Sequence, residues 1–320
     1  MKVLSLFDGI SCGRQALKEL GWKDIIYYSS EIDEYAISVS RFHYPDIIRL
    51  SKVEDININE HFDLIIGGSP CQSFSNAGNK EGFKGKSGLF YEYVRILREA
   101  QKHNPKILFM LENVKMKKEW QDIISKELGV KPVEINSSLV SAQTRRRLYW
   151  TNIKGIEQPK DKKILLEKII DHGNVDRDKS YCLDANYFKG TNVKQYICKS
   201  RRQLVWIIPE ATKKGYVEVR ENQFVDLTFI KSKTRRGRLM LNKSNCLTAT
   251  MGTYCKVTKD WFRILTPKEC ERLQTLTDDY TKFGINKKNK KIKISNSQRY
   301  KMIGNGWTVE VIEHILKNIK

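Results

Sequence analysis

A doubly wound, mixed α/β sheet of Rossmann-like type with a smaller, irregular β-rich domain is the fold the sequence predicts, on three observations. Through residue 153, short apolar runs alternate with helical periodicity, the rhythm of βαβ units. From about residue 173 that rhythm fails, and short β-like pieces lie among basic turns. The chain has 320 residues, enough for one large domain, or a large and a small one, with a core that needs no staples.

The elements are read in order as follows. Val3–Phe7 is a strand, Arg14–Leu20 a helix closed by Gly21, and Ile25–Ser30 a second strand. A helix runs from Asp33, which can cap its own start, to Tyr44 before Pro45, and Asp63–Gly67 is a buried strand. Next come a helix over Leu89–Lys102, a strand over Ile107–Leu111 and a helix near Lys118–Leu128, then strands near Val133–Leu139 and Leu148–Ile153. Strands alternating with helices imply a mostly parallel sheet covered on both faces. In the irregular region the β-like pieces are Gln203–Ile208, Tyr216–Val219 and Phe224–Ile230; a last helix, Val309–Lys317, follows the turn Ile303–Gly306.

Lys and Arg total 58 against 37 Asp and Glu, a formal net charge of +21, so a polyanion is the expected partner. Basic residues gather at Lys231–Arg238 and Lys287–Lys293, five cations in each. Seven cysteines, an odd number without a Cys-x-x-Cys pair, indicate neither a disulfide framework nor a zinc site, and no metal is expected. The first residues already read as a strand, and no apolar stretch approaches the roughly 18 to 20 residues of a membrane span. A cytoplasmic location without signal peptide or transmembrane segment is the expectation.

Two groups of residues carry chemistry. Phe7-Asp8-Gly9-Ile10-Ser11-Cys12-Gly13 ends the first strand and opens into a helix, where doubly wound sheets bind ligands, and its glycines allow close approach of backbone to ligand. Glu31 ends the second strand, where a carboxylate accepts from ribose hydroxyls. No phosphate-binding Gly-x-x-x-x-Gly-Lys loop is present, so a phosphate-free nucleoside cofactor fits better than NAD or ATP. Asp55, at the expected end of the third strand, reads either as a turn residue or as an acceptor for an adenine amino group.

The second group begins with Cys71, delivered by a strand to the ligand edge after Pro70, which fixes the backbone. The loop Gln72–Gly88 has glycines at 78, 82, 85 and 88 and lysines at 80, 84 and 86, and reads as a phosphate-seeking lid. Glu112 brings a carboxylate to the same edge. Gln143, Arg145 and Arg147 alternate before a late strand and are expected to form one face.

Together these motifs resemble the DNA cytosine-5 methyltransferases over nearly the full length. The matching stretches are "FDGISCG", "SSEIDEYA", "VEDI", "GGSPCQSFS", "LENV", "QTRRRLYW", "RILTPKECERLQ" and "QRYKMIGNG". The first turn, "GLFYEYVRIL" and the tryptophan of "GNGWTVEVIEHIL" look closest to the branch with the animal de novo enzymes.

The resemblance implies base flipping of cytosine in duplex DNA and S-adenosylmethionine as methyl donor. It makes Cys71 the nucleophile on carbon 6 and Glu112 the group on ring nitrogen 3 and the amine. Arg147 would hold the carbonyl oxygen, Arg145 a backbone phosphate, with Gln143 organising that face. It places Phe7, Asp8, Gly9, Cys12 and Gly13 around the methionine part, Glu31 on the ribose, and Ile32 and Asp55 on the adenine. Pro70, Leu89, Asn305 and Trp307 complete that pocket. Gln72, Ser73, Gln143, Arg235, Arg236, Arg238, Thr248 and Thr250 are the implied nucleic-acid contacts. By the same likeness residues 1–172 with 294–320 form the cofactor-binding and catalytic domain, and 173–293 the target-recognition domain and hinge. Cys246-Leu247 stands where the family commonly has Thr-Leu, and Ser11-Cys12 where many members have two glycines. A tRNA substrate and a catalytically silent DNA-binding relative are the alternatives. A monomer is expected, with a dimer and a companion restriction endonuclease left open.

Overall fold

The computed structural model describes residues 1–70, 88–191, 196, 198–209, 213, 216–217, 224–226, 238–240, 254–256 and 262–319. Its central sheet is built from β1 (Lys2–Leu6), β2 (Ile26–Ser30), β3 (Ile48–Arg49), β4 (Leu64–Gly67), β5 (Leu108–Val114), β6 (Val133–Asn136) and β7 (Arg146–Thr151). They lie in the order β3-β2-β1-β4-β5-β7-β6, and β7 runs antiparallel to both neighbours. The helices are α1 (Cys12–Glu19), α2 (Glu34–His43), α3 (Leu89–His103), α4 (Lys118–Leu128), α5 (Pro267–Leu273), α6 (Asn296–Asn305) and α7 (Val309–Leu316).

Alternation along the parallel strands sorts the core into two layers. Val3, Leu64 and Ile66 face α1, α2 and α7, packing with Leu17, Val39 and Ile312. Leu4, Leu6 and Ile65 face the other way, toward Tyr93 and Leu97 of α3 and Ile124 of α4. Each such buried aliphatic side chain contributes roughly 1.5–3 kcal/mol, so the strand ends that carry the candidate residues hang from the most strongly held part of the molecule.

Beyond β7, the short strands are β8 (Leu204–Trp206), β9 (Ile208–Pro209), β10 (Tyr216–Val217), β11 (Phe224–Asp226), β12 (Arg238–Met240), β13 (Tyr254–Lys256) and β14 (Phe262–Ile264). They form three small sheets, β14-β8, β10-β9 and β12-β11-β13. A third core, with Ala142, Leu183, Tyr187, Leu265, Leu273, Tyr300 and Ile303, joins this region to α5 and α6.

Three elements go beyond the sequence reading. Helix α5 starts at a capping box in which Thr266 and Glu269 each bond the other's backbone, with Pro267 in the first turn; the Thr-Pro-Lys-Glu string carries that signal. The expected turn at Ile303–Gly306 is the end of α6, a helix hidden by its polar sequence. A hairpin of β15 (Phe283–Ile285) and β16 (Lys291–Lys293) lies against α2. Leu276, Tyr280 and Ile294 share the first core layer with Val3, and the Tyr280 hydroxyl donates to Ile10 O at 2.9 Å. Leu276 and Tyr280, which fall in the 173–293 segment, thus pack on the sheet-bearing body together with Ile294.

Candidate functional site

At the carboxyl ends of β1, β2, β4 and β5 lies a cavity of about 350 Å³. Phe7, Gly9, Glu31, Ile32, Pro70, Leu89, Glu112, Arg145, Arg147, Asn305 and Trp307, all expected site residues, line it. This is the point where the strand order reverses, β1 leading to β2 on one side and β4 on the other.

The floor is the turn after β1. Phe7, Gly9 and Ser11 all have positive φ, of 58°, 57° and 61°. A left-handed phenylalanine is costly and persists only where the surroundings fix it. Asp8 fixes it. Its carboxylate accepts from the hydroxyls of Ser5 at 2.6 Å, Tyr27 at 2.8 Å, Ser29 at 2.9 Å and Ser11. Asp8 is therefore a buried hub beneath the cavity, with four internal donors on its carboxylate oxygens.

Cys12 and Gly13 also lie behind the wall. Burial pushes the Cys12 thiol up to about 12, and a Cβ at position 13 would overlap Ile66, so both serve close packing of α1. Asp55 likewise does not line the cavity. It falls in a 3-10 turn, Val53–Asp55, with its carboxylate 3.7 Å from Lys52, while Lys52, Val53 and Glu54 line the cavity instead. The third strand, Ile48–Arg49, ends earlier than the sequence suggested.

Glu31 is held by three backbone donors, Gly9 N at 2.7 Å on one oxygen and Ile32 N and Asp33 N at 2.7 and 2.8 Å on the other. Burial raises its carboxyl above the ordinary glutamate value against the pull of those N–H groups. Three donors leave one acceptor position of a carboxylate for a ligand hydroxyl. Beside it Ile32 is 74% exposed, a large apolar side chain on the cavity rim. Asp33 caps α2 through Tyr35 N and Ala36 N and also takes Lys301 Nζ at 2.6 Å, closing that rim.

On the opposite side stands Glu112, 9% exposed. Arg147 Nε contacts one of its oxygens at 2.9 Å, and Trp307 Nε1 donates to the other at 3.1 Å. Arg147 reaches it diagonally, since it pairs with Val114 across the β5–β7 ladder. Gly68 permits this arrangement: a Cβ there would lie 2.9 Å from Trp307 Nε1 and 3.1 Å from Glu112 Oε2. Asn113 donates to Ser69 Oγ at 3.1 Å and so ties the segment before Pro70 to β5.

Arg145 and Gln143 are both bonded into the protein interior. Arg145 is 4% exposed and donates inward, to Leu183 O at 3.1 Å, Gly304 O at 3.3 Å and Gly306 O at 2.9 Å. Gln143 is fully buried, donating to Leu273 O and Gln274 Oε1 and accepting from Leu183 N. These bonds share a cause: three chain segments cross here and leave carbonyls that need buried donors. Sequence reasoning missed Cys182, whose Sγ lies 3.4 Å from Arg145 and 3.8 Å from Arg147. Burial raises its thiol, but the two guanidinium groups outweigh that and hold it below the ordinary value. No local signal marks it. Cys71, Gln72, Ser73, Arg235, Arg236, Thr248 and Thr250 lie outside the described residues, and Arg238 begins β12.

The family model for C-5 cytosine-specific DNA methylases matches residues 1–320. The Type II methyltransferase M.HpaII of Haemophilus parainfluenzae is 28% identical over 341 aligned positions, covering 99% of this chain and 88% of that protein. Among solved structures, the Entamoeba histolytica methyltransferase EhMeth superposes with a TM-score of 0.64 at 14% identity, covering 99% of this chain and 97% of its own. The S. pombe Dnmt2 methyltransferase does so at 0.58 and 12% identity, with the same coverage. At those identities the structural likeness concerns the fold.

Proposed function

Since the chain belongs to the C-5 cytosine-specific DNA methylases, we propose that it methylates carbon 5 of a cytosine flipped out of duplex DNA, with S-adenosylmethionine as donor. The observation that carries this is Glu112, clamped between Arg147 and Trp307 in the wall of the cavity that Pro70, next before Cys71, also lines.

The cavity fits the cofactor. Its volume suits a nucleoside-sized ligand, the spare acceptor on Glu31 suits a ribose hydroxyl, and Phe7, Ile32 and Val53 supply apolar surface for a purine. Bound there, S-adenosylmethionine supplies an electrophilic methyl group. The residues of the chain must then make cytosine carbon 5 able to take it. Cys71, as thiolate, adds to carbon 6, while Glu112 hydrogen-bonds ring nitrogen 3 and the exocyclic amine, which moves electron density to carbon 5. Arg147, already oriented by Glu112, faces the base carbonyl oxygen. After loss of the carbon-5 proton the thiolate leaves from carbon 6 and the ring regains aromaticity. Arg145 is a positioning residue here, holding the Gly304–Gly306 backbone that ends the cavity wall.

Duplex DNA containing 5-fluorocytosine should trap a covalent complex with the wild-type protein only when S-adenosylmethionine is present, because fluorine blocks the proton loss that releases the thiol. The Cys71→Ser variant should trap none and should lose methyl transfer. Bisulfite sequencing of DNA from expressing cells tests substrate and sequence context together. Methylation of bulk tRNA with none of duplex DNA would replace the substrate in this reading and leave the chemistry in place.

A further inference from the structure

The β15–β16 hairpin is a feature the proposed chemistry does not use. Residues 283–293 carry five lysines and no acid. Lys287, Lys288, Lys290, Lys291 and Lys293 are all exposed. Lys287 Nζ pairs with Glu34 at 2.9 Å, and Lys291 lies over the rings of Phe283 at 4.2 Å and Phe42 at 5.0 Å. Lys288, Lys290 and Lys293 meet no carboxylate among the described residues.

A run of lysines is ordinarily a solvated face, and two observations set this one apart. The hairpin is stiffly mounted. Gly284 packs so closely on Ser38 of α2 that a side chain there would collide with it, and Ile292 reaches the first core layer. Phe42 and Phe283 rings sit 6.2 Å apart between hairpin and helix. Ordering its lysines against a partner therefore costs side-chain freedom but no backbone freedom.

The mounting also sets direction. Glu34, which holds the tip, is the first residue of α2 and follows Asp33, a residue of the cavity rim. Lys288 and Lys290, in the turn, thus stand toward the ligand edge of the sheet, while Lys293 lies farther along α2, opposite Phe283.

We infer that this hairpin is a second nucleic-acid contact surface, taking phosphates of duplex DNA that flank the nucleotide in the cavity. The inference rests on duplex DNA as the substrate. Lys288, Lys290 and Lys293 act as point charges that displace condensed counterions, which adds affinity and orientation but no sequence preference.

The test is the salt dependence of binding to a random-sequence duplex of about 30 base pairs, for wild type and the K288Q/K290Q/K293Q variant. Each lost phosphate contact lowers the slope of log affinity against log salt by about 0.9, so the variant slope should fall by roughly two to three. Its thermal unfolding, its turnover at saturating DNA and its methylated sequence should match wild type. An unchanged slope overturns the inference, leaving the lysines as solvated charge. A slope that falls on a tRNA transcript but not on the duplex overturns it in favour of RNA. Failure of the substrate reading is separate: wild-type protein that does not methylate duplex DNA removes both, whereas active protein with an unchanged variant slope removes the surface alone.

Discussion

Glu112 has two donors on two oxygens, and they come from segments far apart in the chain. Arg147 belongs to the strand beside it, whereas Trp307 arrives from a segment 195 residues away. The indole lines the cavity and also orients the carboxylate, so it should matter for turnover more than for cofactor affinity. Trp307→Phe keeps an aromatic wall and removes the N–H. A hydrogen bond to a charged group is worth about 1.5–3 kcal/mol, so kcat should fall roughly ten- to a hundredfold. The KM for S-adenosylmethionine should move far less. A steady-state series over both substrates separates the two; a rise in cofactor KM with unchanged kcat would reduce Trp307 to a packing surface.

The carboxyl-terminal turn of α6 is the element on which the site's closure depends. Gly304 there has no room for a side chain, because a Cβ would overlap the backbone of Asp184 and Ala185. Backbone cannot yield as a flexible side chain can. Carbonyls of Gly304 and Gly306 receive Arg145, and Gln274 Nε2 donates to Ile303 O at 2.8 Å and Gly306 O at 3.1 Å. Gly304→Ala should therefore cost about 1–3 kcal/mol in urea unfolding. It should also lower activity, since Asn305 and Trp307 ride on the displaced turn. The comparable change at Gly21, where a Cβ would meet no atom within 4 Å, should not touch activity.

For the molecule as a whole, stability should carry one identifiable pH dependence. Glu313 of α7 is pushed up to about 7 by burial, then by Glu310 and Glu19 nearby, the last across the α1–α7 contact. A carboxyl that binds its proton more tightly when folded favours the native state below its unfolded pKa of about 4.5. That advantage is lost as pH rises through the folded value. Above neutrality the buried carboxylate thus burdens the fold. Glu313→Gln should raise the melting temperature at pH 8 relative to wild type, and the difference should shrink as pH falls through 7 toward 5. Equal differences at both pH values would remove Glu313 as the source. No described helix is long and apolar enough to cross a membrane.

Strand and helix order through β7 was legible in the chain because burial on a pleated sheet or a helix face imposes a short repeat on neighbouring residues. For the same reason Glu31, Glu112 and the Phe7–Gly9 turn could be placed at one edge, each lying at or near the end of a strand. Helix α6 and the β15–β16 hairpin were not legible, since their apolar faces are sparse and are completed by distant partners. Folding alone set the uses of polar side chains. Asp8 turned inward to four hydroxyls, Arg145 and Gln143 to unpaired carbonyls, and Trp307 to Glu112. A buried polar group takes whichever partner the fold brings within about 3 Å, and the chain order of the residues contains no record of that distance.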